Sequence, residues 1–209
     1  AEGDSEWAYF GVSVSGAGDV NGDGYADVIV GAPGYDNGET DEGRVYLYHG
    51  SASGLGAAAA WTAEGDQAGA QLGYSVAGAG DVNGDGYADI IIGAMTWESF
   101  TDEEDEGRAY VYYGSASGLG TAAGWMAESN QAGAEFGISV AGAGDVNGDG
   151  YADVIVGMNG YSNGQGRALV YHGSASGLSL KPAWTAEGDP DRRDFGHSVS
   201  GAGDVNGDG

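Results

Sequence analysis

The sequence predicts an all-β fold made of β-propeller blades of four antiparallel strands, about three blades plus one extra strand. Three observations carry this. The segment Asp-Val-Asn-Gly-Asp-Gly begins at Asp19, Asp81, Asp145 and Asp204, and a period of roughly sixty residues marks a stacked or radial array. Around the first three copies the same order recurs: an FG-like start, an apolar strand, the acidic loop, a second strand, a variable connector, a third strand, a Gly-Ser turn and a tryptophan strand. Four strands per repeat is the count of a propeller blade. Glycine is 44 of 209 residues and proline only 3, which suits many tight turns between short strands.

In the first repeat the strands are expected at residues 10–18, 27–32, 44–49 and about 59–63. The repeats divide the chain into residues 1–62, 63–126 and 127–185, with a partial fourth at 186–209. Val28-Ile29-Val30, Ile90-Ile91-Ile92 and Val154-Ile155-Val156 are unbroken β-branched runs, as expected of strands covered on both faces. Val45-Tyr46-Leu47-Tyr48 and its counterparts supply the third strand, each followed by Gly-Ser-Ala-Ser-Gly-Leu as a hairpin connection. Trp61, Trp125 and Trp184 recur in register; a residue repeated in every unit serves the unit, so packing between blades is expected rather than a ligand platform. The chain opens on Ala1-Glu2-Gly3-Asp4, a phrase that elsewhere follows the tryptophan strand, and stops at Gly209 within the fourth loop. The expectation is an incomplete ring, either a fragment of a longer one or part of an assembly.

The loops carry the chemistry. Asp19, Asn21, Asp23 and Asp27 occupy positions 1, 3, 5 and 9 of the first, and Tyr25 at position 7 offers a backbone carbonyl. The second repeats the pattern with Asp81, Asn83, Asp85, Tyr87 and Asp89, and the third with Asp145, Asn147, Asp149, Tyr151 and Asp153. The fourth keeps Asp204, Asn206 and Asp208 without a closing acid. Hard oxygen donors select Ca2+ over softer metals. Clustered carboxylates repel without a cation, so ion binding and hairpin formation are coupled. The position-12 glutamate and flanking helices of an EF-hand are missing.

These residues resemble the FG-GAP repeat of integrin α-subunit β-propellers, found also in secreted bacterial proteins and some lectins. Phe10-Gly11, Phe136-Gly137 and Phe195-Gly196 match the FG element, with Leu72-Gly73 a departure, and Gly31-Ala32-Pro33 matches GAP. The resemblance implies that the nine-residue loops bind calcium between the first two strands of a blade. It also implies a ring of about seven blades, more than this chain holds.

The remaining features bound the function. Thirty-two acids against six basic residues give a formal charge of -26, which repels nucleic acid and anionic membranes. There is no cysteine, and no apolar run approaches the roughly 18 residues of a membrane span. Loops joining strands 2 to 3 and 4 to 1 emerge opposite the acidic loops and differ most between repeats. That face is expected to meet a protein or glycan partner, through Trp7, Tyr9, Tyr35, Trp97, Tyr161, Arg192 and Arg193. Arg44, Arg108 and Arg167 recur at the start of the third strand as expected structural ion-pair partners. No nucleophile, base and orienting acid assemble from this inventory. The sequence reads as a non-catalytic, calcium-stapled extracellular or secreted adhesion or ligand-binding module. A calcium-dependent lectin module, an accessory domain of a secreted enzyme and a self-assembling propeller fragment are the alternatives.

Overall fold

The structure is a computed structural model, and it describes residues 8–99 and 105–203. Trp7 and the fourth-loop residues Asp204, Asn206 and Asp208 lie outside the described residues.

Three four-stranded antiparallel sheets follow one another along the chain. The first is β1 (Ser13–Gly18), β2 (Asp27–Ala32), β3 (Arg44–Tyr48) and β4 (Trp61–Glu64). The second is β5 (Leu72–Gly80), β6 (Asp89–Ala94), β7 (Arg108–Tyr112) and β8 (Trp125–Glu128), and the third β9 (Ser139–Gly144), β10 (Asp153–Met158), β11 (Arg167–Tyr171) and β12 (Trp184–Glu187). Within each sheet the spatial order equals the chain order. The fourth strands end at Glu64, Glu128 and Glu187, two residues beyond the repeat boundaries expected from the sequence. The only helical element among the described residues is the single turn Tyr161–Gly164.

First strands of neighbouring sheets lie side by side, β1 against β5 and β5 against β9, which is the inner wall of an open propeller arc. Serines stitch that wall: the Val76 N–H donates to the Ser13 hydroxyl, Val140 to Ser75 and Val199 to Ser139, each at 3.0 Å. The core sits between sheets. Ile29, Leu47, Leu72, Ile90 and Ile92 form one cluster between the first two blades, and Val82, Ile91, Val111, Val154 and Leu169 another between the second and third. Burying these branched side chains on both faces of a central strand contributes about 1.5–3 kcal/mol each, which explains the unbroken β-branched runs.

Trp61 and Trp125 pack between blades, as the sequence predicts, whereas Trp184 is exposed on the last blade. Trp61 meets Tyr112 edge-on at 4.9 Å and Trp125 meets Tyr171 the same way. Each indole N–H reaches forward to the next blade's turn, Trp61 to the Gly120 carbonyl and Trp125 to that of Ser179, both at 3.0 Å. The outermost blade faces are open among the described residues. Val146 is 55% exposed where its counterpart Val82 is 0%, and Leu55 is 54% exposed where Leu119 is 8%.

Candidate functional site

Each acidic loop is organised by its first aspartate. Asp19 Oδ1 accepts the N–H groups of Gly22 (2.7 Å) and Asp23 (3.1 Å), and Oδ2 accepts that of Gly24 (2.8 Å). Asn21 Oδ1 accepts the Asp23 N–H, and Asp23 Oδ1 accepts that of Tyr25. The second and third loops repeat this arrangement on Asp81, Asn83, Asp85 and on Asp145, Asn147, Asp149. Gly22 sits at φ 73° and Gly24 at φ 88°, backbone that lets the chain curl around the carboxylate without a Cβ clash. At Asp145, N–H bonds led by that of Gly150 outweigh a small desolvation and lower the pKa. At Asp19, burial opposes the same shift, and the N–H groups of Gly24, Gly22 and Asp23 prevail.

The closing aspartate does different work. Asp27, Asp89 and Asp153 are buried. Asp27 Oδ2 accepts the Val20 N–H at 2.9 Å and Oδ1 the Gly50 N–H at 2.8 Å, so one carboxylate ties the loop to the turn after β3. Asp89 does the same for Val82 and Gly114, and Asp153 for Val146 and Gly173. Burial pushes Asp89 up to about 7, with Asp85 and Asp81 adding repulsion that the two N–H bonds only partly offset. Each carboxylate keeps a lone pair beyond those its N–H donors use, and the donor set is all hard oxygen. These residues fit a calcium ion, which Asp19, Asn21, Asp23, the Tyr25 carbonyl and Asp27 and their counterparts would hold.

The loops also join blades. The Ala88 N–H donates to the Asp19 carbonyl and the Ser115 N–H to that of Val20, both at 3.0 Å; Ala152 and Ser174 repeat the pair on Asp81 and Val82. A Cβ on Gly22 would meet Tyr87 Cε1 at 2.6 Å, so the tyrosine of one loop lies over the glycine of the loop before it. The sequence marks Tyr87 as a carbonyl donor and is silent on this second role, and it is equally silent on the inner-strand serines.

The opposite end corrects part of the expected partner face. Tyr35 and Trp97 are buried, each stacked on its own blade's arginine: Arg44 lies 4.9 Å from the Tyr35 ring and Arg108 3.2 Å from that of Trp97. Tyr161 is half-buried and stacks on Arg167 at 3.7 Å. Apolar area and cation–π attraction draw these rings inward, which takes Tyr35 and Trp97 off the surface. The arginines also pair with the strand opposite, Arg44 with Glu64, Arg108 with Glu128 and Arg167 with Glu187, as the sequence predicts. Tyr9, Arg192 and Arg193 are exposed. Tyr9 helps line a groove of about 640 Å³ with Val12, Pro33, Tyr74, Asp36 and Asp41. Tyr9, Gln71, Glu135 and Asp194, directly before Phe10, Leu72, Phe136 and Phe195, all hold positive φ, so this face has a repeated backbone scaffold beneath unlike side chains.

Three FG-GAP repeats match the chain, at residues 10–48, 72–112 and 136–171, each spanning a loop and the three strands around it. The chain belongs to the FG-GAP repeat family. It is 37% identical to integrin alpha-7 of Mus musculus over 137 residues, 65% of this chain and 11% of that protein. It is 33% identical to integrin alpha-3 of Cricetulus griseus over 201 residues, covering 94% of this chain and 18% of the relative. Integrin alpha-V of Gallus gallus is likewise 33% identical over 207 residues, 95% and 19% respectively. The chain thus spans less than a fifth of the length of these relatives.

Proposed function

We propose that the chain is a calcium-stabilised, non-catalytic ligand-binding module that acts outside the cell, with Ca2+ in the three loops and a protein ligand on the opposite face. The observation that carries this reading is the loop itself. Three copies of one all-oxygen donor set sit on turns pre-curled by their own backbone, and each shares hydrogen bonds with a neighbouring blade or turn. An ion there would fix the hairpin and, through Tyr87 and Tyr151, the seam between blades. Extracellular calcium is abundant enough to fill even sites of modest affinity. Likeness to integrin α chains supports the protein-ligand role, and the groove beside Tyr9, with Asp36 and Asp41 on its rim, favours a basic segment.

Calorimetric titration of calcium into the chelated chain tests the loops. Heat from at least the three loop ions is expected, with one loop ion lost in Asp81→Asn; no heat overturns the metal assignment. Arrays of extracellular matrix proteins and of glycans, probed with and without chelator, test the ligand class. Calcium-dependent sugar signals without protein signals would move the reading to a lectin.

A second reading, self-association through open blade faces, is favoured by exposed Val146 and Trp184 at one end and Leu55 at the other. In the chain's own seams these positions cover one another. Sedimentation equilibrium decides it: a dimer or larger species supports association, and a strict monomer removes it.

A further inference from the structure

Beyond the loops, a second group of acids gathers at the other end of the first blade. One carboxylate oxygen from each of Glu42, Glu64 and Asp66 lies within 4.8 Å of the others. Glu42 is 1% exposed, and its Oε1 is buried without a hydrogen-bond partner. Leaving a charged oxygen unsatisfied in the interior is costly.

The other blades show what the position ordinarily contains. In the third, Gln165 takes the place of Glu42, and its amide donates to the Gly188 carbonyl at 2.7 Å. A carboxylate cannot make that bond. In the second, Glu106 is buried with its Oε1 likewise unpartnered, but Arg108 grips Glu128 through both Nε and Nη2, and Asn130 stands where the first blade has Asp66. The first blade differs at both points. Arg44 directs Nη1 to the Tyr35 hydroxyl (2.9 Å) and Nη2 to Thr62 (3.3 Å), and its Nε lies 3.4 Å from Glu64. Glu64 Oε2 accepts the Asn37 amide at 2.8 Å, which holds the carboxylate in place without neutralising it. A third carboxylate then completes the group.

We propose that Glu42, Glu64 and Asp66 form a further divalent-cation site, built from hard oxygens and specific to the first blade. Three anionic oxygens from two chain segments, one of them buried, meet the requirements of calcium better than those of a softer metal. The electrostatics agree with the geometry: burial raises the Glu42 pKa, and the neighbouring charges of Glu64 and Asp66 raise it further against the N–H groups of Asn37 and Asp66. An ion would link the start of β3 to the turn after β4, at the end of the blade away from the Asp19 loop.

The test is an ion count per chain, by equilibrium dialysis against calcium followed by elemental analysis. Glu42→Gln, which reproduces Gln165, is expected to hold one ion fewer than the wild-type chain at saturating calcium. Asp66→Asn, which reproduces Asn130, is expected to lose the same ion and serves if the first variant folds poorly. Glu106→Gln is expected to leave the count unchanged. An unchanged count in Glu42→Gln and Asp66→Asn overturns the site. Asp81→Asn removes an ion of its own only if the loops bind, so failure of the loop assignment is read separately from failure of this one.

Discussion

Among the loop acids, exposure separates two jobs. Asp85 is exposed at the loop tip and accepts the Tyr87 N–H and the Asn83 amide, whereas Asp89 is buried beneath it with the N–H groups of Val82 and Gly114. Removing Asp89 strands two buried donors, at about 1–3 kcal/mol each. On the proposed assignment, Asp85 would mainly hold the ion. In chelator, Asp89→Ala is therefore expected to lower unfolding stability by about 2–5 kcal/mol, and Asp85→Ala by under about 1 kcal/mol; in calcium both are expected to be costly. Urea unfolding of the two variants measures this, and equal costs in chelator would contradict the division of labour. The paired role of Asp89 was not legible in the sequence, because its second partner, Gly114, lies one strand pair away and is a glycine that any turn would contain.

At the scale of strands and loops, the seam between blades rests on shape as much as on hydrogen bonds. Gly22 at φ 73° lies under the Tyr87 ring, so Gly22→Ala incurs both a left-handed backbone penalty and a steric clash, together about 1–3 kcal/mol. Tyr87→Ala removes the clash partner. A double-mutant cycle is expected to show coupling of at least about 0.5 kcal/mol, and strict additivity would place the two residues in separate environments. Trp125→Phe is expected to cost about 1 kcal/mol through the lost bond to Ser179, measured as a shift in denaturation midpoint.

Strand identities were readable because each repeat alternates β-branched runs with glycine turns, and repetition removes the ambiguity of any single copy. The variable connectors were not. Tyr35, Trp97 and Tyr161 stand at one register, each shortly after the second strand of its blade, a recurrence that marks them as part of the unit, but their inward turn depends on Arg44, Arg108 and Arg167, which the sequence places nearby only once the second strand is paired with the third. The left-handed backbone at Tyr9, Gln71, Glu135 and Asp194 was equally hidden, since none of these is glycine.

For the whole molecule, a formal charge of -26 on 209 residues opposes compaction, and the loops concentrate part of that charge at the blade seams. On the proposed assignment, cations would be linked to folding rather than added to a finished scaffold. One site filled at a hundred times its Kd stabilises by about 2.7 kcal/mol, and in a chain of this size 1 kcal/mol moves Tm by about 2–4 °C. Thermal unfolding of the wild-type chain, followed by circular dichroism in millimolar calcium and again in excess chelator, is the most direct test of calcium as the agent that locks the blades. A fall of at least about 5–10 °C on chelation is expected. An unchanged midpoint would contradict the account.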